Sequence, residues 1–177
     1  MARADVLEAL ATDHVLTHTQ LKRYYRARRE VLEKLPSTTL TVQPGHMRHG
    51  LQVDVTFYAL SRKRLRDTRA GLLAHIAGTA ELRHVLGVPA DRWESRVHRR
   101  RYGEQPDACW WDEDGVENVA EYDSGTYTRG EVQDKFEHFE QRGTERVVWG
   151  VVSSVRARNL RLVLPAWVDV RVLRWWE

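Results

Sequence analysis

Apolar residues recur at helical spacing through the start of the chain and then switch to strand-like alternation. Val6, Leu7 and Leu10 share a face over residues 4–11, with Asp5 and Glu8 outside it, which predicts a first helix. Thr17 stands where a second helix over 17–25 needs its cap, and Leu21 and Tyr24 then share a face. A third helix over 28–35 buries Val31, Leu32 and Leu35 and stops at Pro36. Residues 38–42 and 51–60 are β-branched, alternating runs joined by the turn-rich PGHMRHG. Three short helices and a hairpin is the order of a winged helix-turn-helix, assigned here to residues 1–70. The third helix would be its recognition helix, and His46, Arg48 and His49 would lie in its wing.

A packing helix follows the basic stretch SRKRLRDTR, with Leu72, Leu73, Ile76, Ala80, Leu82 and Leu86 as apolar positions and Gly87-Val88-Pro89 as its end. His75 and His84 ride on it and read as structural, since a spacing of nine matches no metal pair. Residues 71–95 form a helical connector, with 88–95 as its linker. Beyond it, 95–103, 106–111 and 116–123 read as strands, the last two joined by the turn DEDG. Thr128 and Glu131 make a capping box for a helix whose stripe is Val132, Phe136 and Phe139. The apolar run 146–152 suits a central buried strand, followed by a helix over 153–164 and a strand over 167–173. The whole is α+β: a winged helix, then an α/β sandwich around a mixed sheet at 96–177. Trp110, Trp111, Trp149, Trp167, Trp175 and Trp176 belong to the core or to a homodimer face, and one of the adjacent pair 175–176 is expected to be exposed.

Composition narrows the function. No apolar run approaches the roughly 20 residues that cross a bilayer, and the start is helical and carries acids, unlike a signal peptide. Cys109 is the single cysteine, so neither a disulfide framework nor a multi-cysteine zinc site is available. A cytoplasmic protein without membrane contact is expected.

Charge divides the chain. Residues 1–101 hold 19 Lys and Arg against 10 Asp and Glu, whereas residues 102–142 hold 3 against 12. Of the 28 basic residues only Lys22, Lys34, Lys63 and Lys135 are lysines. Arginine forks phosphates and base edges bidentately, so Lys22, Arg23, Arg26, Arg28, Arg29 and Arg48 are candidate contacts to double-stranded DNA. An ordinary solvated face and a GC-rich coding bias remain open as explanations of the same arginines.

The acidic segment carries the candidate chemistry. If 112–115 is the loop, Trp111 faces Val116 and Asp107 faces Ala120, and one bulge brings Asp107 level with Glu121. Alternation puts Glu121 and Asp123 on one strand face, roughly 7 Å apart. Close carboxylates repel unless compensated, and oxygen donors favour Mg²⁺ or Mn²⁺, the ions that activate water against phosphodiesters. Asp107, Glu121 and Asp123 are therefore the candidate metal ligands. Acids that merely cap turns are the alternative.

Pro106-Asp107, Glu121-Tyr122-Asp123 and Lys135 on the next helix resemble the PD-(D/E)xK restriction-endonuclease-like fold. More closely, the chain resembles the replication-relaxation family, in which a winged helix precedes such a domain. The segments that carry this resemblance, within residues 14–155, are VLTHTQLKRYYRARREVLEKL, FYALSRKRLR, LRHVLG, Trp93-Glu94, PDA, EYDSGTYT and KFEHF. It implies Asp107, Glu121, Asp123 and Lys135 as catalytic residues of a metal-dependent DNA nuclease or nickase. The chain departs from the motif where lysine should stand two residues after the acid, since Asp123 is there. Lys135 would have to substitute from the helix. Otherwise the protein is a non-catalytic DNA binder in plasmid replication or transfer control, or in transcription.

Overall fold

The structure, a computed structural model, describes residues 3–45, 52–97 and 105–177. The first part runs α1 (Arg3–Asp13), β1 (Leu16–Thr17), α2 (His18–Tyr25), α3 (Arg29–Leu32), β2 (Ser37–Val42) and β3 (Val53–Tyr58). Its three strands form an antiparallel sheet in the order β1-β3-β2. Thr17 caps α2 reciprocally: its hydroxyl accepts from the Gln20 N–H at 3.1 Å, and the Gln20 side chain accepts from the Thr17 N–H at 3.0 Å. The third helix is half the length expected over 28–35. After Leu32 the chain tightens into i→i−3 bonds, Lys34 to Val31 and Leu35 to Leu32, because Pro36 disfavours helical geometry at Leu35.

The second part runs α4 (Arg62–Asp67), α5 (Ala70–Leu86), β4 (Trp93–Ser95), β5 (Ala108–Trp111), β6 (Glu117–Asp123), α6 (Arg129–Gln141), β7 (Val147–Val151), α7 (Ser154–Arg161) and β8 (Asp169–Val172). The strands line up in chain order as one mixed sheet, antiparallel from β4 to β6 and parallel from β6 to β8. The architecture is α+β. Part of the expected linker 88–95 is β4, where Trp93 pairs with Trp110 and stacks on it at 6.1 Å between centroids. His46, Arg48 and His49, expected in a wing, and most of the strand expected at 95–103 lie outside the described residues.

Helices cover both faces of the mixed sheet. Val132, Phe136 and Phe139 of α6, with Ala157 and Leu160 of α7, pack against Cys109, Val119, Trp149 and Val151. On the opposite face Leu73, Ile76 and Ala77 of α5 meet Ala108, Ala120 and Tyr122, and the same cluster takes in Val42, Val55 and Phe57 of the first sheet. Thus α5 fills a core common to both sheets. Gly78 lets it approach closely, for a Cβ there would lie 2.3 Å from the Tyr122 ring.

Buried polar pairs fix the register of α5. Glu81 accepts from Gln20 at 2.8 Å, Arg23 at 2.7 Å and Tyr24 at 2.8 Å, all on α2. Arg83 forks onto Asp13 of α1 at 2.8 and 2.5 Å. Among the described residues no helix is long and apolar enough to cross a membrane.

Candidate functional site

Asp112 sets the hairpin. Its carboxylate accepts from the N–H groups of Asp114 and Val116, lengthening the turn, and Gly115 supplies the positive φ of 78° that the turn requires. Trp111 consequently pairs with Glu117, not with Val116 as expected, and Ala108 with Ala120. Asp107 therefore falls opposite Glu121 without any bulge.

The two carboxylates are held by different elements. Asp107 Oδ2 accepts from the Tyr122 N–H at 2.9 Å, and His75 Nε2 of α5 lies 2.9 Å from the same oxygen. Glu121 Oε1 accepts from Lys135 Nζ of α6 at 2.6 Å and from the Tyr127 hydroxyl at 2.9 Å, while Oε2 faces the Asp107 N–H at 3.3 Å. Lys135 also lies 5.2 Å from the Tyr127 ring centroid. The Glu121 side chain is fully buried, whereas Asp107 keeps 12% of its side-chain surface and His75 21%. Asp107 Oδ1 makes no hydrogen bond with the described residues.

Electrostatics follow from this packing. Burial and the neighbouring Asp107 carboxylate push Glu121 up to about 7, even with Lys135 beside it. Burial also pushes Asp107 up, but the His75 charge and hydrogen bond, Lys135 and the Tyr122 N–H outweigh it and hold Asp107 low. His75 is raised because the Asp107 carboxylate overrides the burial that would lower it. The Lys135 ammonium thus offsets part of the repulsion between the two carboxylates.

Asp123 lies apart from this pair. Its Oδ1 accepts from the Gly125 N–H at 2.6 Å and its Oδ2 from Arg156 at 2.8 and 2.5 Å, tying the end of β6 to α7. Sequence reasoning missed His75, Tyr127 and Arg156. His75 lies 32 residues before Asp107, and only the packing of α5 on the sheet brings them together. Tyr127 had a weak signal, since it precedes the capping Thr128 that orients α6.

Among the described residues no three His, Cys, Asp or Glu side chains form a metal-holding group. The donor set that could meet an ion is Asp107 Oδ1 and Glu121. Two carboxylates are a usual protein share for Mg²⁺ or Mn²⁺, with waters and substrate phosphate completing the octahedron; Asp107 and Glu121 match that share in donor type, and an ion would have to displace the Lys135 or Tyr127 contact to reach Glu121.

The candidate DNA contacts divide into free and engaged groups. Lys22, Arg26 and Arg28 are exposed, and their side chains make no hydrogen bond or ion pair among the described residues. Arg29 pairs only with exposed Glu33 at 2.6 Å. Arg23 is engaged by Glu81 and by the Glu177 carbonyl, and Arg48 lies outside the described residues. No protein-family model, curated protein or solved structure matches the chain.

Proposed function

We propose that this protein binds double-stranded DNA through its first part and nicks or cuts it at a Mg²⁺- or Mn²⁺-dependent site in its second, as the resemblance to the replication-relaxation family implies. One observation carries the reading: the Lys135 ammonium reaches from α6 to Glu121 at 2.6 Å, beside Asp107. This is the cation that the EYD strand lacks, delivered from the next helix.

The roles follow from the contacts. Asp107 and Glu121 would hold the ion, which when bound supplies an activated water and an electrophile at the phosphodiester. Tyr127 fixes the Glu121 carboxylate by donating to Oε1. Lys135 offsets charge that develops on the scissile phosphate. In the first part, the order α1-β1-α2-α3-β2-β3 supports a winged helix. The shortness of α3 moves the contact surface to the α2–α3 connection, with Arg26 in the left-handed region at φ 46° and Arg28 beside it. The Arg29–Glu33 pair is 85% and 58% exposed, so it is weak enough to yield to phosphate.

A second reading has its own support. Asp107 Oδ2 and both Glu121 oxygens already have protein donors, as a non-catalytic DNA-binding domain would arrange them. Relaxation of supercoiled plasmid with Mn²⁺, run beside duplex-binding titrations at several salt concentrations, separates the two. Nicking by wild type that is lost in Asp107→Asn supports the nuclease. Binding without nicking supports the second reading. An Arg26→Ala, Arg28→Ala protein that is folded yet keeps the wild-type affinity and salt slope refutes the DNA surface.

A further inference from the structure

His75 is the one side chain of α5 that reaches the carboxylate pair, and the sheet packing holds it there. Its helix approaches β6 only because Gly78, one turn later, has no side chain to strike Tyr122. The imidazole stands edge-on to that same Tyr122 ring, 5.2 Å between centroids and 75° between planes. Its Nε2 lies 2.9 Å from Asp107 Oδ2. An ionised carboxylate only accepts, so Nε2 carries the hydrogen and donates it. The Tyr122 N–H donates to the same oxygen at 2.9 Å. Both donors therefore converge on Oδ2, and Oδ1 is the oxygen without a partner among the described residues.

We infer that His75 is a positioning residue of the carboxylate site: by donating Nε2–H to Oδ2, it fixes the rotation of Asp107 and turns Oδ1 outward as the oxygen that meets a divalent cation. This rests on the reading of the site given above. A backbone N–H alone leaves the carboxylate free to rotate about its last bond. A second donor from another element fixes the plane. Partners of this kind behind ligating carboxylates set metal affinity by 10- to 100-fold.

Two substitutions separate the hydrogen bond from the packing. His75→Gln keeps an N–H donor near the position of Nε2, and His75→Phe keeps a ring against Tyr122 without any donor. Mn²⁺ binding is measured by calorimetry, with and without duplex DNA, and folding by thermal melting. The inference expects His75→Phe to melt near wild type but bind Mn²⁺ about 10- to 100-fold more weakly, with most of the affinity returned in His75→Gln. If Phe does not fold, His75→Ala takes its place against the same Gln variant. Equal Mn²⁺ affinity in wild type and the donorless variant overturns the inference while leaving the site intact. Equal weakening in Gln and Phe overturns it too, because the loss then comes from the ring and not from the donated hydrogen. Wild type that takes up no Mn²⁺, with DNA or without, overturns the metal reading itself and this inference with it.

Discussion

Gly78 and Gly71 lie on the same helix, and the same substitution should move stability in opposite directions at the two. At Gly78 a Cβ would stand 2.3 Å from Tyr122 Cζ and 2.5 Å from both Cε atoms. Carbon contacts settle near 3.5 Å, so helix and ring must part by about 1 Å. The ring cannot give way easily. Its hydroxyl accepts from Trp175 Nε1 at 2.8 Å, its backbone N–H is committed to Asp107, and it is 1% exposed. Overpacking of this kind costs about 1–3 kcal/mol, against a gain of up to about 1 kcal/mol from replacing glycine in a helix. The net loss is up to about 2 kcal/mol, or up to roughly 8 °C in melting temperature for a chain of this size. Gly71 is exposed with nothing within 4 Å of its Cβ position, so Gly71→Ala keeps only the gain and should melt up to about 4 °C higher. Differential scanning calorimetry of the two variants decides the matter. A Gly78→Ala protein as stable as wild type, or two variants shifted alike, would refute the account of α5 packing.

Two further predictions concern charge. On the proposed function, Lys135→Met should lower nicking about 10²-fold, about 2.7 kcal/mol. It should also destabilise the fold more at pH 9 than at pH 6: with its cation gone, Glu121 rises further above its unfolded value, and the stability this gives at low pH is lost as pH climbs through the folded value. Urea titrations at both pH values test this, and an equal loss at the two would count against the buried pair. Burial and the adjacent Arg83 charge hold His84 at about 3, below its ordinary 6.5. The unfolded chain therefore takes a proton that the folded one refuses, and stability is lost as pH falls from about 6.5 towards about 3. His84→Phe keeps the stack on Tyr24, 4.2 Å between centroids, and removes the titration. Its melting temperature relative to wild type should rise between pH 7.5 and pH 4.5, and a constant difference would contradict the assignment.

What was legible in the sequence was local. The cap at Thr17 and the capping box at Thr128 placed the starts of α2 and α6, because a side-chain oxygen there satisfies orphan N–H donors wherever the helix lies. The edge position of Lys135 on the α6 stripe was likewise visible. The hairpin register was missed by one residue, since the composition DEDG does not reveal that Asp112 binds two N–H groups and draws Val116 into the turn. The eight-residue third helix failed for a similar reason: Pro36 acts back on Leu35 and tightens the last turn. Long-range contacts left no trace. Asp123 shares a strand face with Glu121, but Arg156, 33 residues on, claims it, and nothing in the spacing of His75 and His84 tells the histidine beside Asp107 from the one stacked on Tyr24. Among the tryptophans, Trp167 is the most exposed at 48%, while Trp175 is fully buried and Trp176 packs beside it.

The placement of these groups on α5 bears on how the two parts of the protein act together. Glu81 is 2% exposed and gathers three side chains of α2, and Arg83 is fixed by Asp13 of α1. Six residues earlier on the same helix, His75 meets Asp107. At 1.5 Å per residue, about 9 Å of rigid helix separates the anchor of α2 from the carboxylate site. Buried ion pairs add little net stability over apolar replacements, yet breaking one is costly, so they act chiefly to fix register. Here they forbid α2 from sliding along α5 or turning about it. On the proposed function, DNA held at Lys22, Arg26 and Arg28 would therefore meet the carboxylates at a set distance and orientation, without a flexible linker to search. Orientation of this kind removes entropy from the reaction before it begins. Arg23, though partly exposed, is committed to this joint through Glu81, whereas Lys22, Arg26 and Arg28 make no hydrogen bond or ion pair among the described residues.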